Sequence, residues 1–172
     1  MHHEEAQRGF TIIELMIVVA IIAILAIVVI PSFIKEAKRA SYQSEVHPMF
    51  AELGTREDQY KSERGAYLAA PACPAAANAR GTDMTTATCA TGTEWTALRI
   101  QSPEQKLKCS YVVVKDAAGV NPSTNAAWPS WLATTLAPAN PANGWFFVVA
   151  TCPANEYFTA SWDSKIRSQD GH

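Results

Sequence analysis

Arg8-Gly9-Phe10-Thr11-Ile12-Ile13-Glu14-Leu15 opens the stretch that decides how this chain is built, and an unbroken apolar run from Leu15 to Ile30 follows it. Between Phe10 and Ile30 only Thr11 and Glu14 are not apolar. A helix of about 20 such residues, rising roughly 1.5 Å per residue, crosses a bilayer core. Two features set it apart from an ordinary anchor: a carboxylate sits inside the span, and Pro31 closes it. An ionisable residue in a membrane segment costs ~2.5–3.5 kcal/mol on insertion scales, so Glu14 is a candidate functional residue.

Three plainer readings fit less well. A secretory signal peptide has a basic n-region, an apolar core of about 7–15 residues and an A-x-A-like site. Here Glu4 and Glu5 outweigh Arg8, the apolar run is longer, and Ala20, Ala23 and Ala26 are spaced by three. A buried helix of a soluble protein is rarely apolar on every face for so long. A plain single-span anchor fits the length but gives Gly9, Phe10 and Glu14 no reason.

The run Arg8 to Met16 resembles the processing and methylation motif of type IV prepilins and their secretion-system relatives. The resemblance implies that a membrane prepilin peptidase removes the leader after Gly9, that the new N-terminal Phe10 is N-methylated, and that Glu14 guides subunit assembly. Pro31 matches the family's helix proline, which implies a kink there. The resemblance is close over about the first forty residues and looser beyond them.

The chain has 172 residues and a net charge of −2. Removal of residues 1–9 deletes Glu4, Glu5 and Arg8 and leaves thirteen basic against fourteen acidic residues, a net charge of −1. That balance excludes an electrostatic nucleic-acid binder and suits subunits that pack against copies of themselves. Positive-inside counting, with Arg8 before the span and Lys35, Lys38 and Arg39 after it, would place the C-terminal part in the cytoplasm. Four cysteines in a small domain point instead to an oxidising compartment, and the family resemblance also implies that this part lies outside.

Behind the span the helix continues amphipathically. Tyr42, Val46, Met49 and Leu53 fall on one face, with Lys35, Glu36, Lys38, Arg39 and Glu45 largely off it. Pro31 and Pro48 each remove a backbone hydrogen bond and are expected to kink or locally melt the helix. Gly54 offers a C-terminal signal, but the helix formers from Thr55 to Tyr60 favour a longer helix that stops between Lys61 and Gly65, about 50 residues and ~75 Å in all. From Pro71 to Thr93 the composition turns to Ala, Thr, Asn, Gly and Pro, a loop with little to bury that needs a staple. Of three possible pairings, Cys73–Cys89 brackets that loop, and Cys109–Cys152 joins two strand edges. Strands are predicted over Trp95–Ile100, Cys109–Lys115, Trp145–Ala150 and Tyr157–Trp162, the last two joined across Pro153 to Glu156. Ala117 to Pro122 reads as a turn. Pro122 to Asn143 reads as an irregular loop anchored by Trp128 and Trp131, and Lys165 to His172 as a polar, frayed tail.

A search for reaction chemistry is negative. No G-x-S-x-G, H-E-x-x-H, P-loop or dinucleotide fingerprint occurs, and the cysteines lack C-x-x-C spacing. His2, His3, His47 and His172 form no ligand pattern, and Asp163 and Asp170 are too sparse for a calcium site. From Trp128 to Trp162 no basic residues interleave with the tryptophans, so the five tryptophans read as core and loop anchors. No catalytic residue, cofactor or metal is expected.

The reading is an α+β protein: a long kinked N-terminal helix, half membrane-embedded and half amphipathic, on a small antiparallel sheet. Its segments are the leader 1–9, the membrane or filament-core helix 10–31, the spine helix 32–64 and a head 65–172, with a variable loop at 71–93 and a sheet over 95–162. The family resemblance implies a structural subunit of a type IV pilus. It would reside in the bacterial inner membrane and then polymerise, through pilus assembly machinery, into an extracellular filament for adhesion, motility or DNA uptake. The alternatives are a pseudopilin of a type II secretion system and a membrane-tethered binding module such as an adhesin.

Overall fold

The computed structural model describes residues 10–85, 87–102, 104–137, 141–161 and 165–169. The chain divides into two compact units, one up to Ala40 and one from Ser41 onward. Helix α1, Ile12–Arg64, contributes to both. In the first unit every large apolar side chain from Phe10 to Ile34 is exposed, Phe10 by 85% and Ile12 by 82%. An 18-residue window of this helix reaches a mean hydropathy of 3.3 with none of it buried, long and apolar enough to cross a membrane.

Of the two outcomes expected at the prolines, local melting does not occur, for α1 is continuous through Pro31 and Pro48. One missing backbone bond costs about 3 kcal/mol, and the turns on either side of each proline carry the helix across it. The helix ends where the longer reading put it. Gly65, at φ 82°, takes the left-handed conformation that suits glycine, and its N–H donates to the Lys61 carbonyl at 2.7 Å.

The second unit is built around five strands in the order β1-β4-β5-β6-β7, every neighbouring pair antiparallel. They are β1 Ala70–Cys73, β4 Ser110–Asp116, β5 Trp145–Cys152, β6 Glu156–Ser161 and β7 Ile166–Ser168. Two further short strands, β2 Thr82–Asp83 and β3 Lys106–Leu107, pair with each other. Strand β5 explains its own composition. Phe146, Val148, Ala150 and Cys152 join Tyr42, Val46, Met49, Phe50 and Leu53 of α1 in the main core, while Trp145, Phe147 and Val149 form a second cluster with Val112, Val114 and Trp128. Both faces are covered, so the strand is an uninterrupted apolar run rather than an alternating one. The loop after β4 supplies the second cover: Trp128 meets Phe147 edge-on at 5.4 Å and donates from Nε1 to the Leu132 carbonyl at 3.1 Å.

Three sequence expectations are corrected. Residues 95–100 are not a strand. Trp95 and Leu98 are buried three residues apart in a short helix, α2 Thr93–Leu98, and Trp95 Nε1 donates to the Pro71 carbonyl at 2.8 Å. The 71–93 stretch is not all loop, since it holds the end of β1, all of β2 and a 3-10 turn at Thr88–Thr91. The C-terminal tail is not simply frayed, because β7 pairs with β6. Trp162, Asp163, Asp170 and His172 lie outside the described residues.

Both disulfides are those expected. Cys73–Cys89 has a Cα separation of 5.4 Å, and Cys109–Cys152 one of 4.2 Å. In the chain-entropy account a bridge of 16-residue separation contributes ~3 kcal/mol. Peptide mapping without reductant should recover only these two linked pairs. A peptide joining Cys73 to Cys109 or Cys152 would contradict the arrangement.

Two carboxylates on α1 are buried: Glu45, which was read as lying largely off the core face, and Glu57. Glu45 lies three residues after Tyr42 and four before Met49, on the core face, and is 2% exposed. It accepts from Lys108 N–H at 2.8 Å, Cys109 N–H at 2.9 Å and Tyr111 O–H at 2.9 Å. The buried Tyr111 hydroxyl is accordingly hard to ionise, first through desolvation and then through the neighbouring Glu45 charge. Arg39 is buried as well.

Glu57, one turn beyond Leu53, is fully buried; one oxygen accepts from Leu68 N–H at 2.9 Å, and Oε1 has no hydrogen-bond partner. Burial pushes its carboxyl up to about 7, against the opposing pull of that hydrogen bond and of Lys115. The raised value means that the folded chain holds this proton when the unfolded chain, with a carboxyl near ~4.3, has lost it. The resulting stabilisation is complete below that value and lost as pH rises to about 7. Between pH 4.5 and 7.5 the wild-type chain should therefore lose on the order of 2 kcal/mol relative to Glu57→Gln, after allowance for screening. Thermal unfolding of both chains across this window measures the difference. Parallel pH profiles would show that Glu57 does not titrate in this way.

Candidate processing and assembly site

The start of α1 has a definite local structure. Thr11 stands immediately before the first helical residue, Ile12, and Glu14 is the third residue of the helix. The Thr11 N–H and hydroxyl both donate to Glu14 Oε2, at 2.9 and 2.8 Å, while Glu14 N–H donates to Thr11 Oγ1 at 3.3 Å. This reciprocal arrangement is a capping box, in which two otherwise unpaired helix-end groups satisfy each other. The T-x-x-E spacing was open to view in the sequence. Reading Glu14 only as an anomalous charge in an apolar span overlooked its local partner.

Capping does not exhaust Glu14. The carboxylate keeps acceptor capacity on Oε1, since both Thr11 bonds go to Oε2. It also carries its charge at the N-terminal end of the helix, where the macrodipole favours an anion. Phe10 precedes it on the same exposed end. Gly9 and the rest of the leader lie outside the described residues. Pro31 is within α1 and exposed, and the four cysteines are paired with one another in the second unit. Among the described residues no group of three or more His, Cys, Asp or Glu could hold a metal ion.

Residues 6–30 match the family described as the Prokaryotic N-terminal methylation motif. This is a prepilin-type N-terminus. The chain is 53% identical over 60 residues to the type IV major pilin protein PilA of Myxococcus xanthus, a match covering 35% of this chain and 27% of that protein. It is 36% identical over 64 residues to the type II secretion system core protein G of Dickeya chrysanthemi, covering 37% and 41% of the two. The core protein G of Escherichia coli K12 is likewise 36% identical, over 67 residues, covering 39% and 46%. The chain thus spans less than half the length of these relatives. No solved structure gives a significant match. Its homologues are type IV pilins and secretion pseudopilins, structural rather than enzymatic proteins.

Proposed function

We propose that this chain is a structural subunit of a type IV pilus. Its leader would be cut between Gly9 and Phe10 by prepilin peptidase, and Phe10 methylated on its new amine. The subunit would wait in the inner membrane and then be drawn by the pilus assembly machinery into a helical filament of many copies on the cell surface. The observation that carries the reading is the join of the Arg8–Met16 motif to a helix whose large apolar side chains, Phe10 to Ile34, are all exposed. Such a surface is stable only in lipid or against other apolar helices. In the filament Glu14 would set the register of each added subunit, and Pro31 would bend the helix where it leaves the apolar zone.

A pseudopilin of a type II secretion system is the second reading, favoured by the core protein G relatives. The two disulfides lean the other way, since the major secretion pseudopilin is usually poor in cysteine. Electron microscopy and mass spectrometry of surface-sheared material decide between them. Pilus filaments made of this chain, with a methylated Phe10 at the N-terminus, are expected. Assembled protein that still carries Met1 to Gly9 would contradict the processing step. Sheared material free of this chain would contradict the pilus role.

A further inference from the structure

Where the last turns of α1 face α2, the second unit has an open cleft of about 500 Å³ lined by Tyr60, Glu63, Arg64, Thr93, Thr96 and Arg99, among others. That volume lies within the roughly 300–1,000 Å³ common for small-molecule sites. The lining mixes apolar and polar surface and sets two arginines against one glutamate. Arg56, beside the cleft, is committed to Glu52 at 2.7 Å, whereas neither Arg64 nor Arg99 has an acidic partner among the described residues. Tyr60 is fixed, being half-buried against the main core.

Arg99 carries the second observation. It ends α2 at φ 52°, ψ 39°, the left-handed conformation that glycine adopts without cost, and its backbone N–H closes the helix on the Thr96 carbonyl. A glycine would make the same closure with less strain. What the arginine adds over glycine is its cationic side chain, and Arg99 is one of the residues that line the cleft.

The geometry points to a binding site for a singly charged sugar acid, a uronate or a similar carboxylated saccharide unit. Arg64 and Arg99 supply fork-shaped donors for one carboxylate. The hydroxyls of Thr93, Thr96 and Tyr60 serve the sugar's own hydroxyls, both as donors and as acceptors. Glu63, on the same wall, can accept from hydroxyls and repels a second negative charge, which selects against doubly charged phosphate monoesters. The site needs only the fold of the second unit and does not depend on whether the chain builds pili.

The full chain, solubilised in detergent at low salt, can be titrated calorimetrically with glucuronate, glucose and inorganic phosphate. Glucuronate should bind at least tenfold more tightly than either of the others. Arg99→Gly preserves the left-handed backbone, so it should melt like wild type; with Arg64→Gln it should weaken glucuronate binding at least tenfold. Arg80→Gln, an exposed arginine elsewhere, should leave binding unchanged. No glucuronate binding, tighter phosphate binding, or full binding by the double variant would each overturn the assignment.

Discussion

Glu14→Ala and Glu14→Gln, each expressed without a wild-type copy, are both expected to leave normal amounts of subunit in the membrane and few or no filaments. The pair of substitutions separates the capping role that the structure shows from the assembly role proposed for the same residue. As the partner of Thr11 in a capping box, Glu14 can be replaced by glutamine with little loss, and by alanine at a cost of ~1 kcal/mol. In the proposed role, as the counter-charge of a Phe10 amine in a packed filament, it would tolerate neither, because an uncompensated charge in an apolar core costs ~3–5 kcal/mol per broken pair. Filament yield by shearing and electron microscopy is the readout. Filaments from the glutamine variant but not the alanine variant would reduce Glu14 to a helix cap. Wild-type yield from both would remove its assembly role altogether.

The second large effect concerns the fold of the C-terminal unit. Glu45→Ala takes the acceptor away from two backbone N–H groups and the Tyr111 hydroxyl at once, beside Cys109 of the second disulfide. Each donor left buried without a partner costs ~1–3 kcal/mol, so a loss of roughly 3–6 kcal/mol is expected, enough to unfold a marginal domain. Glu45→Gln keeps an acceptor oxygen and should lose about half as much. Thermal unfolding of the solubilised chain tests this directly. An alanine variant within ~1 kcal/mol of wild type would mean that water replaces the carboxylate, and that the strand connection is not held from the helix.

The elements that sequence reading located are those whose pattern is set by one dominant force. The amphipathic face at Tyr42, Val46, Met49 and Leu53, and the apolar runs of β4 and β5, follow from burial alone. Glu45 and Glu57 were missed because carboxylates are normally solvated. Their positions, between Tyr42 and Met49 and one turn after Leu53, put them on the core face all the same. Helix α2 was missed because six residues give periodicity little to work with. The spacing of Trp95 and Leu98 reads as helical only once both are known to be buried. Strands β1 and β7 have four and three residues, and their pairing partners, not their own composition, make them strands. At the candidate assembly site, Glu14 was legible as a charge that does not fit an anchor and Phe10 through the motif resemblance, whereas the Thr11 cap was written in the T-x-x-E spacing and went unread.

The two edges of the sheet bear on how crowded copies of this chain would treat one another. One edge is β1, with an irregular register between Ala70 and Cys73, and the other is β7, so neither offers a long flat row of free backbone groups. Long unpaired edges recruit strands from neighbouring molecules, and such sheets do not readily come apart. Domains packed side by side at very high local concentration would be especially exposed to that fate. With short, irregular edges the domains can stand close without knitting together. A polymer of such subunits could then be taken down to intact, reusable monomers.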